Sequence, residues 1–248
     1  MTSTSRSTLF RIAVAATLAL ASAVASAADP EVAREALNTT FPEDVETTLV
    51  LSAAPPHLRD GAALYLFGRS GYSKIREGSN GFTCLLNRDA FLYGSFAFKP
   101  TCWDPEGATS YVPVMLRVGT LLAAGKTSEA IRADIDGGFH DGRFRRPRRT
   151  GIAYMLAGDV VLAAPTGVVV KTTFPGHYMI YAPGVSNADI GHSQAAANGN
   201  PSVPFIFAAG AGADNLAYII IAPSHNHPVP QSALLRAKVR PQSGRTTA

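Results

Sequence analysis

Cysteine is scarce in this 248-residue sequence: Cys84 and Cys102 are the only two, and Trp103 is the single tryptophan. Neither cysteine belongs to a Cys-x-x-Cys, and no basic side chain adjoins Cys84 to depress its thiol pKa. That weakens a redox couple or a thiol nucleophile and leaves a structural disulfide as the leading expectation. Catalytic signatures are also missing. There is no His-Glu-x-x-His, no Gly-x-Ser-x-Gly elbow and no Ser-x-x-Lys, so the common zinc-protease and serine-hydrolase patterns do not apply. Gly210-Ala211-Gly212 lacks the third glycine and the following helix of a dinucleotide loop, and reads as a turn. Charge is sparse as well, with 16% of residues charged. The formal net charge of +4 falls to +2 once Arg6 and Arg11 leave with the leader described next, which gives no general attraction to nucleic acid.

The first 27 residues have the form of an export signal. Arg6 and Arg11 precede and enter an apolar run from Ile12 to Val24, no acid occurs before Asp29, and Ala25-Ser26-Ala27 has the small-x-small cleavage pattern. The run is short for a bilayer span, and no cysteine follows the cleavage site to carry a lipid. The expectation is an exported protein, periplasmic or extracellular, with no stable membrane span in its mature form. No linker, low-complexity tract or repeat divides residues 28–248, so they are expected to form a single globular domain of about 220 residues. Its tail is expected to fray from about residue 236.

Helix and strand signals alternate along the mature chain. Asp29-Pro30-Glu31 supplies a cap, a first-turn proline and an acid at the positive end of the dipole. Thr40-Phe41-Pro42-Glu43 fits a capping box, and the helix it opens should stop before Pro55-Pro56 with Val45, Leu49 and Val50 inward. Ala63–Phe67 and Tyr72–Arg76 read as a hairpin turning at Gly68–Gly71. Asn80-Gly81 is a further turn signal, expected at a hairpin tip. Leu85–Phe98 suggests a strand pair broken at Gly94, and Pro100–Ala108 an irregular stretch. Helical spacing covers Val112–Ala124, and another helix begins at Thr127-Ser128-Glu129 and ends at Gly137-Gly138. Residues 151–183 alternate apolar runs with Gly and Pro, which predicts three or four central strands. Phe205–Phe207 and Leu216–Ala222 add two more. The fold class expected is α+β: a mostly antiparallel sheet with covering helices and one disulfide, Cys84–Cys102.

Few side chains stand out as site candidates. His177 follows Phe174-Pro175-Gly176 and opens a strand, which suits a general base or a ligand, or a structural ring bonded to a loop carbonyl. Glu77 and Asn80, at the loop beside Cys84, are its candidate catalytic companions. Arg143, Arg145, Arg146, Arg148 and Arg149 crowd one loop, with Arg145, Arg146 and Arg148 the candidates for an anion ligand. The competing reading is a solvated loop whose arginines pair with nearby acids such as Asp141. Adjacent His140-Asp141 is a poor catalytic pair, because neighbouring side chains seldom face each other. Ser224-His225-Asn226-His227 places two imidazoles at i and i+2, a spacing that can clamp a metal on a strand, but Pro223, Pro228 and Pro230 bracket it. No metal is therefore assigned.

Four segments taken together carry a resemblance: Asn80–Cys84, Pro100–Cys102, Gly151–Leu156 and His177–Ile180. In these the chain resembles a group of exported bacterial hypothetical proteins without an assigned activity. The resemblance spans most of the mature chain and implies export and a shared fold. Some members of that group carry a second His in the last apolar strand, where this chain has Ala217-Tyr218, so a two-histidine metal site does not carry over. The function expected is a non-catalytic exported domain that binds a small ligand or an envelope component, with no nucleic-acid partner. The alternative is a hydrolase or metal-assisted enzyme using His177 near the Glu77–Asn80 loop.

Overall fold

The computed structural model describes residues 29–163, 168–171, 174–193 and 203–222. The expected export leader, the Ser224–His227 segment and the tail expected to fray from about 236 lie outside these residues. Among those described, five helices pack on an eight-stranded, mostly antiparallel sheet, the α+β class expected.

Helix α1 (Pro30–Leu37) begins as the sequence indicates, with the Asp29 carboxylate accepting from the Glu31 amide at 2.8 Å. Helix α2 (Glu43–Leu51) buries Val45, Leu49 and Val50. It has no side-chain cap: Pro42 fills the cap position, so the expected capping box at Thr40 does not form. A short turn of helix, α3 (Pro56–Arg59), leads into β1 (Ala63–Gly68) and β2 (Gly71–Arg76), which pair as the expected antiparallel hairpin.

Strand β3 (Thr83–Asn87) then runs parallel to β1 and does not pair with β2. Asn80-Gly81 is thus no hairpin tip. Its Asn80 Oδ1 accepts from the Phe82 amide at 3.0 Å and its Nδ2 donates to the Leu58 carbonyl at 2.8 Å, stitching a crossover. Residues 88–98 also differ from expectation. Asp89–Tyr93 form a 3-10 turn that closes on Gly94 in the left-handed region (φ 71°), where glycine carries no steric penalty.

Strand β4 (Lys99–Trp103) and helix α4 (Pro105–Ala123) occupy the stretch expected to be irregular and extend the helix seven residues toward the N-terminus. Asp104 caps α4 by accepting from the Gly107 amide at 2.9 Å. Helix α5 (Ser128–His140) runs through Gly137-Gly138 rather than stopping there. The central stretch gives β5 (Ile152–Met155), β6 (Val161–Ala163), β7 (Val168–Lys171) and β8 (His177–Tyr181); β6 and β7 form a separate ribbon. Strands β9 (Phe205–Phe207) and β10 (Tyr218–Ile221) complete the sheet, whose order is β2-β1-β3-β4-β5-β8-β10-β9.

Alternation along the strands assigns side chains to the two faces. Cys102 faces α2, with its sulfur 3.9 Å from the Val50 carbonyl, and Cys84 stands directly opposite it across β3–β4. The disulfide forms between them, with Cα atoms 4.0 Å apart and both residues fully buried. Lys99, Thr101 and Trp103 point the other way. On that face α4 lays Tyr111 against Tyr218 and Tyr181, with ring centres 4.6 Å apart in each pair. Gly107 makes this contact possible: a Cβ there would lie 2.7 Å from Trp103 Cβ. The helix covers only part of the face, and a cavity opens beyond it.

Candidate functional site

The cavity measures about 290 Å³, near the lower end of small-molecule sites. Its floor is a row of inward side chains from adjacent strands: Thr101 and Trp103 of β4, Met155 of β5, Met179 of β8 and Tyr218 of β10. Phe174, Phe205 and Phe207 supply apolar walls. Trp103 Nε1 donates to the Tyr218 hydroxyl at 2.8 Å, which fixes both rings. Burial holds the Tyr218 hydroxyl well above its ordinary pKa, so it stays protonated.

His177 enters at the start of β8, opposite Met155. It is 4% exposed, and its Nδ1 lies 2.8 Å from the Pro175 carbonyl oxygen. A carbonyl can only accept, so Nδ1 carries the proton and Nε2 holds a lone pair. Nε2 has no hydrogen-bond partner among the described residues. Burial pushes the ring down to about 4, against the pull of the Pro175 carbonyl and with a further push from Lys99. The imidazole is therefore neutral at physiological pH and offers an acceptor to the cavity it lines. The ring is held in place by Phe174, edge-on at 5.0 Å, and by the close approach at Gly176. A Cβ on Gly176 would sit 2.8 Å from the Leu156 carbonyl carbon, so only glycine permits the chain to pass here.

A second polar group reaches the cavity from β3 and β4. Lys99, 8% exposed, forms an ion pair with Asp89, and its ammonium lies 5.3 Å from the Tyr93 ring centre and 5.6 Å from that of Phe207. Burial works against its charge, but the adjacent Asp89 carboxylate holds the ammonium above its usual range. Asp89 in turn accepts from the Ala211 amide at 2.9 Å, so the Gly210-Ala211-Gly212 turn serves to seat a carboxylate. Gly210 leaves the room for it, because a Cβ there would meet the carboxylate. Asn87 Oδ1 accepts from the Asp89 amide at 3.0 Å and leaves the amide nitrogen without a partner among the described residues. Burial pushes the Tyr93 hydroxyl up to about 12, so it too remains a neutral donor.

The other candidates lie elsewhere. Glu77 is paired with Lys74 at 3.1 Å on the exposed end of β2. Asn80 is committed to Leu58 and Phe82, and neither residue lines the cavity. Strands β3 and β8 are three spacings apart, roughly 14 Å, which separates the Asn80 loop from His177. The arginine loop is largely paired. Arg145 bonds Glu106 at 3.0 Å, Arg149 lies 3.4 Å from the same carboxylate, and Arg143 bridges Asp134 and Asp141 at 3.2 Å. The Arg148 amide also donates to Glu106, at 2.8 Å, and these contacts together hold its pKa below the ordinary range. Arg146 donates to Asn215 at 2.6 Å and borders a separate groove of about 770 Å³ together with Asp214, so that groove is not of one sign. His140 ends α5 and lines none of these cavities.

Among the described residues no three His, Cys, Asp or Glu side chains are grouped to hold a metal, and no helix is long and apolar enough to cross a membrane. No protein family, curated protein or solved structure matches this chain.

Proposed function

We propose that this chain is an exported domain that binds a small ligand in the cavity on the open face of its sheet. One observation carries the reading: an aromatic-walled cavity lined by the buried His177, whose Nδ1 is held by the Pro175 carbonyl and whose Nε2 has no hydrogen-bond partner among the described residues. The buried disulfide fits folding in an oxidising compartment, in line with the leader. The enzymatic alternative has less support, because Glu77 and Asn80 are engaged away from His177.

The mature chain holds only three methionines, Met115, Met155 and Met179, and the last two line the cavity. Methyl-labelled protein titrated with a panel of small aromatic compounds should therefore shift Met155 and Met179 and leave Met115, which does not line this cavity, in place. Met179→Trp, which fills the space, should abolish the shifts. A panel that moves none of the three methyls, or only Met115, contradicts the proposal.

A further inference from the structure

From the polar groups of this cavity we infer that its ligand is an uncharged aromatic ring bearing a hydroxyl or ring N–H, which donates its hydrogen to His177 Nε2. The inference rests on the cavity being a binding site and adds the class of compound.

Three observations carry it. First, the Pro175 carbonyl fixes the tautomer, so the only free polar atom of His177 is an acceptor and selects a donor. Second, the one cation that lines the cavity among the described residues already has its counter-ion. Lys99 is paired with Asp89, which is itself anchored by the Ala211 amide. An incoming carboxylate would find no unpaired cation among the described residues and would face Asp159, which lines the same cavity, so only the neutral donors of Asn87 and Tyr93 could offset its lost water. Third, the walls suit a flat apolar body. Phe174 and Phe205 meet edge-to-face at 5.8 Å, and Trp103 and Tyr218 are locked together below them by their own hydrogen bond. A ring stacked there gains area burial and edge-to-face contacts. An organic cation would meet the Lys99 ammonium over Tyr93 and Phe207, and the lining Asp159 is the one described group that would draw it in.

The class is read by comparing four probes of similar size on the exported protein: toluene, p-cresol, p-toluate and benzyltrimethylammonium, followed by calorimetry and by the Met155 and Met179 methyl signals. The inference expects p-cresol to bind tighter than toluene by on the order of tenfold, and p-toluate and the cation to bind more weakly than either. In His177→Leu, p-cresol should fall to the affinity of toluene while toluene stays within about twofold, since a single neutral hydrogen bond is all that is removed. The wild-type order stands by itself should that variant fail to fold. Tighter binding of p-toluate or of the cation overturns the class and leaves the cavity a binding site. Equal binding of p-cresol and toluene also overturns it. If none of the four moves either methyl, both the class and the binding proposal fall.

Discussion

Arg88 lies 1% exposed, its guanidinium 4.2 Å from the Phe67 ring centre and 4.9 Å from that of Phe98. It donates to the carbonyls of Leu37 and Thr39 at 2.8 and 2.7 Å and to Glu46 at 3.2 Å. Burial pushes the Glu46 carboxyl up, and Arg88 and the Phe67 amide pull it back. Truncating one partner of such a pair leaves a buried charge uncompensated. Arg88→Met should therefore cost about 3–5 kcal/mol in urea unfolding, and adding Glu46→Leu to it should recover much of that loss; a cost under about 1 kcal/mol for the single variant would show the pair to be dispensable. His177 makes a prediction of the opposite chemical kind. Its folded pKa, about 4, is below the ordinary 6.5 because burial favours the neutral ring. The unfolded chain takes up a proton as pH falls below 6.5 and the folded one does not until about 4. This contribution to stability is complete above pH 6.5 and declines through that window, by about 3 kcal/mol in all. In His177→Leu the slope of unfolding free energy between pH 6.5 and 4 should be shallower by up to one proton. An unchanged slope would mean that the ring is already solvated.

At the scale of the element, what could be read from sequence depended on whether the signal was local. The Asp-Pro-Glu start at residues 29–31 is repeated at 104–106, where Asp104 again caps a helix but accepts from the third helical amide, Gly107, rather than the second. This later start was obscured by the cysteine and tryptophan before it and by Pro113, which sits inside α4 without ending it. Strands β1, β2, β5, β8, β9 and β10 were legible because each is a short apolar run bounded by turn residues. The parallel partnership of β1 and β3 was not, since Asn-Gly is an equally good turn whichever strand lies next to it. His177 was visible as a lone histidine opening a strand. Lys99, Asn87 and Asp89 were not, because a polar residue in an apolar run shows its use only when the partner arrives, here from the turn at Ala211. Gly176 belongs to this scale too, because β5 and β8 can carry His177 to the cavity only if the chain clears Leu156. Gly176→Ala should cost about 1–3 kcal/mol by overpacking and should displace the His177 ring signals. Neutral stability with unmoved ring signals would contradict the close approach.

For the whole molecule, the sheet divides its labour between two faces. The face toward α2 is pinned by the Cys84–Cys102 disulfide at the centre of β3–β4, while the opposite face is left open between α4 and Phe205. Closing a loop of 18 residues stabilises the fold by about 3 kcal/mol on the chain-entropy account. Cys84→Ala/Cys102→Ala should lose that amount while the cavity, on the other face, keeps its ligand shifts at Met155 and Met179. Equal stability with and without the pair would remove the staple from the account. The measurement that bears most directly on the central claim is the protonation state of His177, read from its ring nitrogens by nitrogen-15 NMR at pH 6. The structure predicts a neutral ring with the proton on Nδ1 and a bare Nε2. A proton on Nε2, or a charged imidazolium, would take away the acceptor on which the ligand reading stands.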